Sequence, residues 1–328
     1  MDALEPLLQK DVGILKPTDY NYAVSFIGAA LNIDQDFIQS VKSIYRIGED
    51  LGRDFEVIVA HNPVPEEIQP DIRELRKKYR NLVLLENHLD SVGQGKKTAF
   101  EYGSGKFVVP FDTQISYPIR YSDVLHNFLR FKLKRLYYSE LPLVSREIVS
   151  EVGGWRDLSS GEDIDLYSRI SINYGVFACP TTLLPGDDRT SRELLSIRAF
   201  PENRGGELKS SRRLLKDLII SCNHSFSDIR EIAKILQEEE GKASFGQFFM
   251  AYLGSRLSKI KPVSYNRNNY VIFMEAVLES LVLREFLKMP DVSEEVGWHI
   301  DKPHQRFLNV KSKLFREMKD STITFLKD

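Results

Sequence analysis

An α/β fold with a largely parallel mixed sheet flanked by helices, continued by an α-helical C-terminal region, follows from three features of the 328-residue chain. From Tyr22 to about Phe177 short apolar runs alternate with stretches of helical period, the pattern of βαβ units. Beyond about Pro201 the strand-like runs stop and helical periodicity with polar connections takes over. The length also exceeds what one hydrophobic core usually serves, so a larger unit over residues 1–200 and a helical unit over 201–328 are expected.

The first apolar run, Ala23-Val24-Ser25-Phe26-Ile27-Gly28, reads as a strand. Phe37, Val41, Ile44 and Tyr45 then recur at i, i+4, i+7 and i+8, one face of a helix that Asp34 can cap. Phe55 to Ala60 is the second strand, and Pro70 opens a helix whose Ile72, Leu75 and Tyr79 share a face. Leu82 to Leu85 is the third strand, and a short helix lies between Gly93 and Gly103. Lys106 to Phe111 is the fourth strand, which places Asp112 at its C-terminal end, the edge where open parallel sheets receive ligands. In the C-terminal region Phe245, Phe248, Phe249, Tyr252 and Leu253 fall at helical spacing and read as a core-facing stripe.

Composition narrows the function. Lys plus Arg (45) nearly balance Asp plus Glu (47), which leaves no global field to attract nucleic acid. Cys179 and Cys222 match no metal or paired-thiol spacing, so both are expected in the core of a protein from a reducing compartment. The early acidic residues lack an apolar signal run, and Tyr270 to Leu287 is interrupted by Glu275, Glu279 and Arg284. The expectation is a cytoplasmic protein without a transmembrane segment, able to sit peripherally on a membrane. The basic clusters Lys209 to Arg213 and Arg256 to Lys261 read as solvated faces or as holders of an anionic acceptor or lipid headgroup. None of the six histidines forms a ligand spacing. Gly95-Lys96 lacks the spacing of a P-loop, because Asp90 and Lys97 stand where Gly and Ser or Thr are needed. Gly186-Asp187-Asp188 reads as a turn, with a late metal ligand as the other reading.

The segment Val152 to Arg169 is the richest in chemistry. Paired glycines and Trp155 lead through Ser159-Ser160-Gly161 into a helix on which Leu166, Ile170 and Tyr174 share a face. Ser159 or Ser160 is positioned to cap it, and Trp155 is of the exposed type. Glu162, Asp163 and Asp165 crowd its first turn, where the helix dipole favours anions. A carboxylate at such a loop-to-helix junction can also face a cleft and act as a general base.

This run resembles a segment of the inverting nucleotide-sugar glycosyltransferase family two, whose fold is GT-A. The resemblance covers Tyr22 to Phe177 and implies a nucleoside-diphosphate sugar donor and a saccharide, glycan or lipid-linked acceptor. It places the general base on Asp163 with Glu162 beside it, and Gly154, Trp155 and Asp165 at the acceptor. Val24 to Asn32 is similar to the family's first strand and turn, and the resemblance implies donor contacts from Gly28, Ala29 and Asn32, from His61 and Asn62, which follow strand two where the family often carries acidic residues, and from Asp112 and Thr113. Gly93, Lys96 and Lys97 resemble the stretch before the acidic metal motif, and those lysines can neutralise phosphates. The motif itself is Asp112-Thr113-Gln114 where the family usually has Asp-x-Asp, so a Mg²⁺ or Mn²⁺ ion would draw on Asp112 with Gln114. A catalytically inactive sugar-nucleotide-binding or scaffold protein is the second reading, motivated by Gln114. Homo-oligomers through the C-terminal helices are a further expectation.

Overall fold

A computed structural model of the chain describes residues 20–130, 134–178, 208–230, 245–263, 265, 268–273 and 276–277. The central sheet has the order β3-β2-β1-β4-β6, with β1 (Tyr22–Ala30), β2 (Phe55–His61), β3 (Leu82–Glu86) and β4 (Gly105–Pro110) mutually parallel. Strand β6 (Val144–Ser145) closes one edge antiparallel to β4. A separate parallel pair joins β5 (Leu136–Tyr138) to β7 (Val176–Ala178), and Tyr137 bridges back to Leu143 beside β6. The expected α/β class, a mostly parallel mixed sheet flanked by helices, is therefore present.

The two faces of the sheet follow from the period of two along each strand. Val24, Phe26, Val57 and Val59 point into one core, filled by Phe37, Val41 and Ile44 of α1 (Gln35–Asp50), Ile72 and Leu75 of α2 (Gln69–Lys78), and Tyr121, Leu125 and Phe128 of α4 (Tyr121–Arg130). Ile27, Ile58 and Ala60 point the other way, against Ala99 and Phe100 of α3 (Val92–Tyr102), Ile148 of α5 (Arg146–Glu151), and Leu166 and Ile170 of α6 (Glu162–Tyr174). The Asp34 carboxylate caps α1 by accepting the Phe37 N–H at 3.0 Å.

Helix α7 (Leu208–Cys222) extends this second core, because Leu218 and Cys222 pack with Trp155, Leu166 and Tyr270. Helix α8 (Phe245–Leu257) rests on α7 through Phe248 and Ala251, which meet Leu215 and Ile219. The expected core stripe on α8 is corrected here: Phe248 is buried, whereas Phe245, Phe249 and Leu253 are exposed. The helix docks along Phe248, Ala251 and Ser255, where small side chains let it approach α7, and this line is rotated away from the aromatic one. Cys179, Asp187, Asp188, His299, His304 and most of Tyr270 to Leu287 lie outside the described residues. No described helix is long and apolar enough to cross a membrane.

Candidate active site

The loop before α6 owes its shape to two glycines and two arginines. Gly153 and Gly154 take φ of +86° and +63°, a left-handed pair that a side chain would strain. Arg169, one turn along α6 from Asp165, holds that turn from below. It donates to the carbonyls of Val152 and Gly154 and, at 2.8 Å, to Asp165 Oδ2. Arg156 takes the remaining oxygen of Asp165 and also binds Oδ2 at 2.9 Å. Asp165 is thus 0% exposed between two guanidiniums, which corrects its expected place at the acceptor: it anchors the loop. Its buried charge is compensated on both oxygens, as a buried carboxylate requires.

The fold of this loop carries Trp155 inward. Its ring is 1% exposed and tilts against Phe100, with centroids 5.7 Å apart, so the exposed-type reading is also corrected. The indole N–H finds its partner in Asp163 Oδ1 at 2.8 Å. The other oxygen of Asp163 accepts from Lys96 Nζ at 2.5 Å, and the same ammonium reaches Glu162 Oε1 at 2.8 Å. Lys96 is buried on α3, so the ion cluster joins α3 to the first turn of α6. Burial opposes the lysine's charge, but the charges of Asp163 and Glu162 outweigh it and hold Lys96 above the ordinary lysine range. Burial pushes the Glu162 carboxyl upward, Asp163 adds to this, and Lys96 opposes it. Asp163 is the most open member, with its side chain 32% exposed against 13% for Glu162.

Helix α6 starts without a side-chain cap. Gly161, at φ +71°, is the N-cap, whereas the sequence predicts Ser159 or Ser160 there. The cause is packing: a β-carbon on Gly161 would meet Ser221 Oγ of α7 at 2.1 Å. The Ser159 N–H donates instead to the buried carboxylate of Asp217, also on α7.

Residues at the C-terminal ends of the strands form a framework beside this cluster. Thr113 Oγ1 donates to the Ala29 carbonyl at 2.9 Å, and Gly28 leaves room for Thr113 and Phe111. Asn62 donates to the carbonyls of Leu31 and Leu89 and accepts the Leu89 N–H, tying the ends of β1 and β2 to the segment leading into α3. Gly93 lies so close to the 156–158 loop that a β-carbon would meet Arg156 O at 2.2 Å. His61 is fully buried; burial lowers its pKa, and its Nδ1 lies 2.7 Å from the Asn62 carbonyl. Its Nε2 has no partner among the described residues.

The sequence-expected donor residues therefore divide in two. Gly28, Ala29, His61, Gly93, Lys96 and Thr113 are buried and shape the floor, and Asn62 is half-buried. Asn32, Lys97 and Asp112 face solvent. Lys96, expected at the phosphates, is engaged by the two carboxylates, and Lys97 lies 3.8 Å from Glu101. Asp112 Oδ1 accepts the Gln114 N–H at 2.8 Å, and both side chains are exposed. No group of three or more His, Cys, Asp or Glu suited to a metal occurs among the described residues. One carboxylate with a neutral amide beside it fits a divalent ion only when phosphate oxygens complete the shell.

Sequence reasoning missed the roles of Lys96, Arg156 and Arg169 at this site. The i, i+4 spacing of Asp165 and Arg169 on one helix face was the available signal for one of them. The contact of Lys96 with residues 66 and 67 positions away had no local signal.

No protein-family profile matches the chain, and no curated protein matches it in sequence. Among solved structures it is similar to a mannosyltransferase from Pyrobaculum calidifontis in complex with GDP-Man and Mn²⁺, with 14% identity and a TM-score of 0.42 over 94% of this chain and 86% of that one. It is also similar to residues 1–349 of S. aureus TarS in complex with UDP-GlcNAc, with 10% identity and a TM-score of 0.42 over 93% of this chain and 91% of that one. Likenesses at this level assign neither a reaction nor a residue to the chain.

Proposed function

We infer that this chain is a glycosyltransferase that moves a sugar from a nucleoside-diphosphate sugar to an acceptor hydroxyl with inversion, Asp163 serving as general base. The observation that carries the reading is the state of Asp163. Its carboxylate is partly open to solvent, yet each oxygen is held, one by the Trp155 indole and one by the Lys96 ammonium. A carboxylate oxygen has two acceptor sites, so each retains one for an incoming hydroxyl. Fixing the base in a single orientation is what general-base catalysis needs, since geometry precedes proton affinity in such a step. Attack from the face opposite the leaving diphosphate then inverts the anomeric carbon.

Asn32 and Asp112, exposed just beyond the ends of β1 and β4, and Lys97, exposed on α3, are the groups open to a donor diphosphate. A divalent ion, held by Asp112 and phosphate oxygens with Gln114 as a neutral neighbour, supplies charge neutralisation when bound. Lys97 can contribute to the same end directly. Trp155 positions the base from within the core, and the buried Gly154, whose carbonyl is held by Arg169, supports the loop, so the acceptor meets Asp163 itself.

Asp163→Asn tests this assignment. The asparagine keeps an oxygen for the Trp155 N–H but cannot take a proton. Transfer or donor hydrolysis is expected to fall by roughly 10²–10⁴-fold while donor binding persists. Transfer by the variant at the parent rate would sink the assignment.

One observation favours a second reading, a sugar-nucleotide-binding protein without catalysis: the Lys96 ammonium already occupies both acidic side chains of the pair. Calorimetric binding of a donor, without transfer or slow hydrolysis to free sugar, would select it.

A further inference from the structure

An aromatic surface on α8 and the segment before it plays no part in the candidate site. Phe245, Phe249, Met250 and Leu253 are exposed on α8, Leu257 at its end is 86% exposed, and Phe226 joins them from the preceding segment. The rings form one array: Phe226 makes edge contacts with Phe245 and Phe249 at 6.1 and 5.9 Å, and Phe245 stacks on Phe249 at 6.4 Å. Single exposed apolar residues are ordinary on soluble proteins, but a contiguous aromatic group is not. Helix α8 is apolar on nearly its whole circumference, whereas only the Phe248, Ala251 and Ser255 side is buried on α7.

Charge selects among the occupants such a face could have. Residues 245–263 contain Arg256, Lys259 and Lys261 and no aspartate or glutamate. All three cations are exposed; Arg256 lies between Leu253 and Leu257, and Lys259 and Lys261 follow Leu257. The Arg256 guanidinium lies 5.0 Å from the Tyr252 ring, and Lys261 Nζ donates to the Arg256 carbonyl, which keeps the positive groups at the rim of the aromatic array. A second copy of the same face would set these cations against one another. Aromatic and aliphatic groups bordered by lysine and arginine match the boundary between acyl chains and anionic headgroups. The surface is also anchored, because Arg156 Nη1 donates to the Lys261 carbonyl at 2.5 Å.

We propose that the face formed by Phe226, Phe245, Phe249, Leu253 and Leu257, with Arg256, Lys259 and Lys261 at its rim, docks peripherally on an anionic lipid membrane. This inference stands apart from the sugar-transfer reading. The apolar side chains enter the interface and the rim cations meet lipid phosphates or carboxylates. Binding therefore needs both parts and weakens with salt, since the attraction is screened over roughly 8–10 Å at physiological ionic strength.

Co-flotation of the full-length chain with phosphatidylcholine vesicles, with and without about a third phosphatidylglycerol, tests it. The chain is expected to float with the anionic vesicles, weakly with the neutral ones, and less as salt rises. Lys259→Glu with Lys261→Glu should lower partitioning by about tenfold or more. Phe249→Ser with Leu253→Ser should abolish it, with circular dichroism and thermal melting unchanged because both residues are exposed. Equal flotation of the parent and both double variants, or no flotation of the parent, would overturn the proposal. So would light scattering that reveals a dimer dispersed by the serine variant, since the face would then belong to a second copy.

Discussion

Lys96 is the residue on which the candidate site turns, because one buried ammonium holds two carboxylates that would otherwise repel each other at the start of one helix. Lys96→Met removes that charge while keeping much of the chain's bulk. Breaking a buried pair by deleting one partner costs ~3–5 kcal/mol, so a clear drop in the urea midpoint at pH 7 is expected. The pH dependence separates electrostatics from packing. Folding raises the Lys96 pKa, so its contribution is fully present below the ordinary lysine value of about 10.4 and is lost only as pH climbs through the folded value. Glu162 is also raised, so its protonated form favours the folded state and that contribution fades as pH rises above the ordinary glutamate value of about 4.3. In the variant, acid neutralises Glu162 and relieves the repulsion that Lys96 had offset. The stability gap between parent and variant should therefore narrow from pH 7 to pH 4. A gap of constant size across that range would mean that Lys96 acts through packing alone.

At the scale of elements, the site is a meeting of α3 with the loop before α6, and the two approach at backbone distance through Gly93. Gly93→Ala forces the Arg156 carbonyl and the Leu158 amide outward, which should cost about 1–3 kcal/mol, the range for an overpacked position. The displacement also pulls Trp155 and Asp163 away from Lys96, so transfer should fall by more than global stability explains. Denaturant unfolding and activity measured on the same preparation check this; lost stability with unchanged turnover would leave the α3 contact without a role in the site. Strands β1 to β4, α1 with its Asp34 cap, α2 with Pro70 and the acidic start of α6 were legible in the sequence, because each rests on periodicity or a local cap within a few residues, whereas the two- and three-residue strands β5, β6 and β7 are too short to show a period. The cap of α6 was not, because Ser221 on a distant helix demands glycine at position 161. The exposed side of α8 was misread for a related reason. Periodicity marks an apolar stripe but not which part of it a neighbouring helix covers. The burial of Trp155 and Asp165 likewise depends on Arg156 and Arg169, whose contacts form only once the glycine turn has closed.

For the whole molecule, sheet topology gathers distant positions at one edge. The ends of β1, β2 and β4 bring Asn32, Asn62 and Asp112 to the same side as the segment leading into α3, and Thr113 and Asn62 lock those ends together. A ligand spanning this edge binds the folded state alone, so it stabilises the entire cooperative unit rather than a single loop. At about 100 times its Kd a donor adds ~2.7 kcal/mol, a rise of roughly 5–10 °C in Tm for a unit of this size. The acidic complement sets how a metal enters. Asp112 is the sole carboxylate of its motif, and no cluster of three metal-binding side chains occurs among the described residues. Mn²⁺ alone should therefore leave Tm nearly unchanged, because a hard dication is held poorly by one exposed carboxylate in water. Mn²⁺ added together with a nucleoside-diphosphate sugar should raise Tm beyond the donor's own effect, since phosphate oxygens complete the coordination. Asp112→Asn should erase that increment and leave the metal-free shift, whereas Gln114→Asp, which supplies a second carboxylate, should enlarge it. A large shift with Mn²⁺ alone would instead require a metal site made of other residues. An increment that survives Asp112→Asn would place the ion entirely on the donor.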